Sequence, residues 1–222
     1  RRQPVIFFLM IILFTSFSNL SMVFAQEETR VVPSVGEYDK IRLNITDSQK
    51  AIIALKTGGP DAETTIKNIE SAPGKFIPVV FYQLAFSLFE QGKKEEAMVW
   101  LLRGELRARF DANRCADSTA RSAVSAMNSM ISQEFRVYMS EHLGKLVEIA
   151  KNTVEWDKIT PYDYDQRWIN LHGTQAISAG LKGEQDKEIL LSLPQEQWPD
   201  IAERTRRKFI DGFQEAQEIV SK

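Results

Sequence analysis

The chain has 222 residues, of which 43% are hydrophobic, and this supports one domain with a sizeable core but not two large domains. Its 28 basic and 30 acidic residues give a formal net charge of −2, so the chain lacks the basic excess that is typical of proteins that bind nucleic acid or anionic lipid. Cys115 is the single cysteine, which excludes an internal disulfide.

Residues 1–25 have the three parts of an export signal in the expected order. Arg1 and Arg2 supply positive charge, an apolar run extends from Val5 to Phe14, and small side chains precede a cleavage point after Ala25. We expect cleavage there and a periplasmic protein, which meets the membrane only through this segment before cleavage. The alternative is an uncleaved anchor, because the segment is nearly long enough to span a bilayer.

Residues 26–55 form a leader whose structure the sequence leaves open. Its first third is polar and has no hydrophobic period, which is typical of a mobile segment. Ile41, Leu43 and Ile45 alternate as in a short strand, whereas the residues that follow favour a helix. The helical domain is predicted to occupy residues 56–222.

The helical signal is strongest from Pro78 to Arg109. Apolar residues recur on one face of two successive helices, and Gln91-Gly92-Lys93 marks a tight turn between them. The packing positions are Phe81, Leu84, Ala85, Leu88, Ala97, Leu101 and Gly104. This pattern resembles the tetratricopeptide repeat, in which small residues let paired helices approach closely. The resemblance implies a scaffold for protein interaction, although the repeat's terminal proline is replaced by Arg109 and no second copy follows.

Capping residues and a stripe of small side chains predict the next helices. Asp117 or Ser118 can cap a helix that ends near Met130, and Ser132 can cap another. Thr160-Pro161 then stops helical structure. The first of these helices carries a stripe of small side chains, formed by Ala116, Ala120, Ala123 and Met127. Such a stripe predicts that a neighbouring helix packs against it.

The end of the chain is predicted to hold two more helices. A shorter one covers Thr174 to Leu191, and Pro199 opens a long final helix. The buried face of the final helix is predicted to be Trp198, Ile201, Thr205, Phe209, Phe213, Ala216 and Val220. The charges that flank this face as solvated groups are Arg204, Arg206, Arg207 and Lys208. The predicted fold is therefore all-α, with helical hairpins packed as a small bundle or array.

A run of arginines interspersed with acids follows the middle of the chain. It consists of Arg103, Arg107, Arg109, Arg114 and Arg121, with Glu105, Asp111 and Asp117 between them. The favoured interpretation is a helix surface laced with salt bridges. The alternative is a charged surface that steers a partner towards the protein.

The segment from Thr160 to Gly173, here called the aromatic loop, is the candidate partner-binding site. It combines aromatic rings with arginine and acids, the residue types that dominate the energy of protein interfaces. The candidate residues are Tyr162, Asp163, Tyr164, Asp165, Arg167, Trp168 and His172. The alternative is structural, with Trp168, Ile169 and Leu171 closing the core while tyrosine hydroxyls satisfy backbone groups of the loop.

No motif in the sequence predicts catalysis, a metal or a cofactor. Asp163-x-Asp165 resembles the start of a calcium loop but lacks the central glycine and the distal acid. Two histidines, His142 and His172, are too few for the common zinc ligand patterns. Cys115 is interpreted as buried and inert, although its neighbour Arg114 could lower the pKa of a reactive thiol.

These observations predict an exported, non-enzymatic protein-interaction module. The chain also resembles small helical periplasmic immunity proteins at the Gln91-Gly92 hairpin and at residues 168–173. That resemblance implies a secreted toxin as the partner, blocked by an acidic or aromatic loop. The competing hypothesis is an envelope scaffold or assembly factor that binds extended peptides, and an enzyme of unknown class is the third.

Overall fold

The structure is a computed structural model that describes residues 36–182 and 190–220. The predicted export signal and the first part of the leader lie outside the described residues, as do residues 183–189 of the predicted helix from Thr174 to Leu191. Within the described ranges the fold is all-α, as predicted, and the one extended pairing is a bridge between Cys115 and Ser192. None of the helices described is both long and apolar enough to span a membrane.

The helices follow one another with short connections. In chain order they are α1 (Glu37–Asn44), α2 (Thr46–Thr57), α3 (Gly59–Ser71), α4 (Pro78–Glu90), α5 (Lys94–Arg114), α6 (Ser122–Ser129), α7 (Gln133–Glu141), α8 (Leu143–Ile159), α9 (Thr174–Lys182) and α10 (Trp198–Val220). Short 3-10 turns lie at Pro73–Lys75, Ser118–Arg121, Gln166–His172 and Gln195–Gln197.

The central helix of the fold is α5. It packs against α4, α8 and α10, and side chains around most of its circumference are buried, which is typical of a helix surrounded by others. The predicted hairpin is present, because α4 and α5 flank a turn at Gly92, where φ is +79°. A Cβ added to Gly104 would lie 3.1 Å from the Phe81 Cβ and 3.2 Å from the Pro78 carbonyl oxygen. The missing side chain therefore lets the two helices approach closely.

Of the residues that alternate like a strand, Ile41 and Leu43 lie in α1 and Ile45 lies between α1 and α2. Ile41 and Ile45 are buried whereas Leu43 is 71% exposed, so the apolar pair four residues apart follows the helical period. The helix favoured after them is confirmed as α2, which contributes Ala51 and Leu55 to the main core and packs against α3 and α4. The predicted boundary between the leader and the helical domain, after residue 55, lies inside α2.

Two predicted helix caps are confirmed. The Asp117 carboxylate accepts a hydrogen bond from the Thr119 backbone N–H at 3.0 Å, and the Ser132 hydroxyl accepts one from the Phe135 N–H at 3.2 Å. Asp117 caps a 3-10 turn, however, so the α-helix expected from this point begins only at Ser122.

The small-residue stripe and the predicted helix stop are also observed. Ala120, Ala123 and Met127 are buried and Ala116 is half-buried. Helix α8 ends directly before Thr160-Pro161.

The final helix has a shorter buried face than predicted. Ile201, Thr205 and Phe209 are buried, and Phe213 packs at the edge of the core. Val220 is 70% exposed, so the predicted face does not continue to the end of the helix. Helix α10 packs against α5 and α8.

Candidate functional site

The aromatic loop is held in place by Asp111, a fully buried carboxylate on α5. This carboxylate accepts hydrogen bonds from the Tyr164 hydroxyl at 3.0 Å and from the Trp168 indole N–H at 2.7 Å, and Arg114 pairs with it at 2.6 Å. Burial raises the pKa of Asp111, whereas Arg114 and the two ring donors act in the opposite direction. Two rings of the loop are thus tied to the central helix.

A second buried carboxylate, Asp157 on α8, anchors the start of the loop. It accepts a hydrogen bond from the Tyr162 hydroxyl at 2.6 Å, and it pairs with Arg107 Nε at 3.2 Å and with Arg206 Nη2 at 2.8 Å. Arg107 also donates to the backbone carbonyls of the two residues that open the loop, at 2.8 and 3.1 Å. Helices α5, α8 and α10 are therefore joined to the loop by one set of charges.

These contacts correct the interpretation of the arginine run as a helix surface. Arg107, Asp111 and Arg114 lie in the core, and Arg206, expected as solvated charge, is bound to the α8 carboxylate. Their burial is tolerated because each charge meets an opposite charge or a carbonyl acceptor. The Arg107 guanidinium also lies 4.1 Å from the centroid of the Tyr162 ring.

The candidate partner-binding residues divide into an inward and an outward set. Tyr164 is 7% exposed and Trp168 is 1% exposed, so neither ring is available to a partner in this structure. Tyr162 is half-buried. Asp163 and His172 are exposed at the surface. The loop thus closes the core with its large rings and presents mainly polar groups to solvent.

Asp165 and Arg167 tie the loop to α1. Arg167 Nη2 lies 2.7 Å from the Asp165 carboxylate, and Arg167 Nη1 lies 3.1 Å from the carboxylate of Glu37. The Asn44 side-chain amide donates to Asp165 at 2.8 Å. Burial acts to raise the pKa of Asp165, but the hydrogen bonds from Arg167 and Asn44 outweigh it, so the pKa is lowered.

Two glycines let the ends of the loop lie against their neighbours. A Cβ on Gly74 would lie 2.7 Å from the Pro161 carbonyl oxygen, and the Gly74 carbonyl accepts a hydrogen bond from the Asp163 N–H. A Cβ on Gly173 would clash with the Asp117 carboxylate, which also accepts a hydrogen bond from the backbone at the start of α9. Both ends of the loop are therefore fixed by close packing.

An open cavity of about 620 Å³ lies between α5, α6, α10 and the segment before α10, and we call it the basic groove. Its charged lining residues are Arg109, Arg121, Arg204 and Lys208, and no acid is found among the described residues that line it. Within the part of the chain that the structure describes, the side chains of Arg121, Arg204 and Lys208 make no ion pair or hydrogen bond. Arg204 and Lys208 lie four residues apart on α10, and this spacing places them on one face. The groove therefore concentrates uncompensated positive charge.

Arg109 is oriented by an acid outside the lining. Its Nε and Nη2 both lie against Glu105 Oε1, at 3.1 and 2.5 Å, which leaves Nη1 without a partner among the described residues. The same Glu105 oxygen accepts a hydrogen bond from the Asn128 amide, whose oxygen in turn accepts one from the Tyr82 hydroxyl. Burial raises the pKa of Tyr82, which keeps that hydroxyl protonated as a donor.

The other described residues that line the groove are uncharged. The apolar lining residues are Ala112, Val124, Leu193 and Ile201. Asn113, Ser125, Gln197 and Thr205 supply polar groups. Asn113 donates to the Thr205 hydroxyl at 2.9 Å, which links α5 to α10 across the groove.

The groove has the composition of a binding surface for negative charge. Among the described residues that line it there is no histidine, cysteine or carboxylate. Cys115 lies elsewhere and is buried as predicted, with its thiol 3.2 Å from the Asn170 side-chain oxygen. Burial raises the pKa of this thiol to about 11, so it is protonated at neutral pH.

The remaining candidates for chemistry are His142 and clusters of metal-ligating side chains. His142 is exposed, as predicted, and its ring lies 4.2 Å from that of Tyr138. In the described ranges, no group of three or more histidine, cysteine, aspartate or glutamate residues could hold a metal ion.

The groove was not predicted from the sequence, although its residues carried a partial signal. Arg109 and Arg121 belong to the arginine run, and Arg204 and Lys208 were predicted to be solvated charges on the final helix. The four-residue spacing of the last two marks one basic face of α10. Nothing in the sequence indicates that this face lies opposite the other two arginines.

Neither a family model, nor a curated protein, nor a solved structure matches this chain. The functional conclusion therefore depends on the side chains of the basic groove and of the aromatic loop.

Proposed function

We propose that the protein is an exported, non-enzymatic interaction module that binds another protein through the basic groove. The observation that carries the proposal is the groove itself, where three cations without partners line a cavity together with apolar side chains and, among the described residues, without an acid. Such a concentration of one charge stands out on a chain whose formal net charge is −2. A concave surface with a few directed polar groups is typical of a binding site.

The rigidity of the groove walls supports the same proposal. Helix α5 supplies Arg109 to the groove and Arg107 to the buried charge network, and α10 supplies Arg204 to the groove and Arg206 to the network. The two walls are thereby held in one arrangement before a partner arrives. Such pre-organisation lowers the entropy that association costs.

The partner can be identified by affinity capture from envelope extracts of the native strain. For this experiment the chain is expressed with its own predicted export signal, residues 1–25. We expect one stoichiometric protein partner whose retention weakens as salt is raised, because the groove acts through charge. If no protein is retained beyond the level of an unrelated helical control at low or high salt, the proposal fails.

An interaction module of this kind could have either of two roles. One is that of an immunity protein, which the resemblance implies, and the other is that of an envelope scaffold. An immunity protein predicts that the exported chain rescues cells that express the captured partner. A scaffold predicts envelope defects on deletion when no toxin is present. Tyr164→Ala and Trp168→Ala do not test whether the aromatic loop contacts the partner. Both changes remove hydrogen-bond donors to the buried Asp111, so a loss of binding could come from a disturbed fold. Substitutions of the exposed Asp163 and His172 test a direct contact of the loop instead.

A further inference from the structure

We propose that the occupant of the basic groove is an extended acidic segment of a protein partner, with apolar side chains between its carboxylates. The inference rests on the proposed interaction function and names the chemistry of the partner at that site.

The arrangement of the cations favours several carboxylates over one small anion. Arg109 comes from α5, Arg121 from the turn before α6, and Arg204 and Lys208 from α10, so the charges surround the groove from three elements. A cavity of about 620 Å³ is in the size range that accommodates drug-sized ligands, far more than a single phosphate or sulfate fills. A segment with carboxylates at several positions can reach all of these elements.

Arg109 has the geometry of a prepared carboxylate anchor. Two of its nitrogens are held by Glu105, so the guanidinium is fixed in position while Nη1 remains without a partner in the described structure. A fixed guanidinium loses less side-chain entropy when it binds an incoming carboxylate. The charge that holds the arginine lies outside the groove lining and so does not occupy it.

The uncharged lining favours a polypeptide over nucleic acid. Ala112, Val124, Leu193 and Ile201 provide apolar area for side chains between the carboxylates. Asn113 and Gln197 carry amide groups that can pair with a peptide backbone. The described lining contains no aromatic ring for base stacking, and the net charge of the chain is negative, which opposes long-range attraction of a phosphate backbone.

The test is a selection of random short peptides on the full chain, followed by affinity measurements of the enriched peptides. The groove variant is R204E/K208E, whose two side chains are exposed and make no ion pair or hydrogen bond among the described residues. The matched control is K56E/K67E, with the same change in net charge on α2 and α3, outside the groove. Circular dichroism and thermal unfolding verify that both variants keep the fold.

We expect enriched peptides to contain several aspartate or glutamate residues together with apolar ones. Their affinity should fall about tenfold or more in the groove variant and less than about twofold in the control, and replacing each Glu by Gln should abolish binding. Peptides without acidic enrichment, or equal affinity for all three proteins, would overturn the inference. So would displacement of the peptides by millimolar inorganic phosphate, because that result identifies a small-anion site.

These outcomes are separable from failure of the proposed function. A protein partner that the groove variant retains as well as the wild type overturns the acidic-segment inference but leaves the interaction function standing. Peptides that bind the groove without any cellular protein partner contradict the interaction function instead.

Discussion

At the scale of single residues, the most demanding feature of the molecule is its buried charge. Asp157 is 3% exposed and receives two arginines and one tyrosine hydroxyl, so removing its negative charge leaves cations without compensation in the core. We therefore expect substitutions of the buried charged residues to destabilise the fold most.

Asp157→Asn should lower the free energy of unfolding by about 3–5 kcal/mol, because the change leaves the fully buried Arg107 without its counter-charge. Urea unfolding followed by tryptophan fluorescence measures the loss. Lys158→Gln is the control, since its exposed pair with Glu155 should contribute less than about 1 kcal/mol. Equal small losses for the two variants would show that Asp157 does not anchor the aromatic loop.

Cys115 should resist alkylation in the folded protein. Burial raises the pKa of its thiol to about 11, against 9.0 as the ordinary value, so the thiolate is depleted about hundredfold near pH 8. The contribution of the protonated thiol to stability is present below its ordinary pKa and is lost as pH rises through the higher value. Iodoacetamide labelling read by mass spectrometry, with and without urea, measures the difference. Rapid labelling without urea would contradict the burial of Cys115.

Asp165 should make a pH-dependent contribution to stability. Hydrogen bonds lower its pKa in the folded state, so its contribution is present above the ordinary pKa near 3.8 and is lost as pH falls through the lowered value. Asp165→Asn should therefore reduce Tm at pH 7, and the gap from wild type should close in strong acid. The loss should stay near 1 kcal/mol, because solvent screens the pair with Arg167 in part. A gap that persists unchanged in acid would contradict this role.

At the scale of helices, close approach between α4 and α5 depends on Gly104. A Cβ there meets the Tyr82 ring at 3.0 Å and also rigid atoms of Phe81 and Pro78. Gly104→Ala should destabilise the protein by about 1–3 kcal/mol, because overpacking outweighs the gain in helix propensity. The comparison variant is Gly212→Ala on α10, where nothing lies within 4 Å, and it should stabilise by about 0.5–1 kcal/mol. Thermal unfolding compares the two, and stabilisation by both would mean that the hairpin is loosely packed.

Local signals in the sequence were sufficient for most helices. The α4–α5 hairpin, the Asp117 and Ser132 caps and the stop at Thr160-Pro161 each depend on residues close together in the chain. The strand alternative at residues 41–45 shows the limit of such signals, because a short apolar pattern fits two periods and tertiary contacts decide between them.

The buried charges could not be predicted in this way. Arg107 and Asp157 are 50 residues apart, and a sequence reveals the desolvation of one only when the position of the other is known. An arginine run with interspersed acids has the same composition on a solvated surface and in a paired core. The sequence therefore identified Tyr164 and Trp168 as special but could not say that they face inward.

At the scale of the whole molecule, the basic groove is made by bringing residues 109–128 together with residues 193–208. The charge network that ties α5, α8 and α10 to the aromatic loop fixes this arrangement. The aromatic loop and the groove thus have different roles, since one supports the frame and the other presents unpaired charge.

The most direct test of this account is parallel affinity capture from envelope extracts with the wild type, R204E/K208E and K56E/K67E. We predict that the wild type and K56E/K67E retain the same protein partner, and that R204E/K208E loses it while keeping its fold. Equal retention by all three would contradict the central claim that the basic groove is the binding surface.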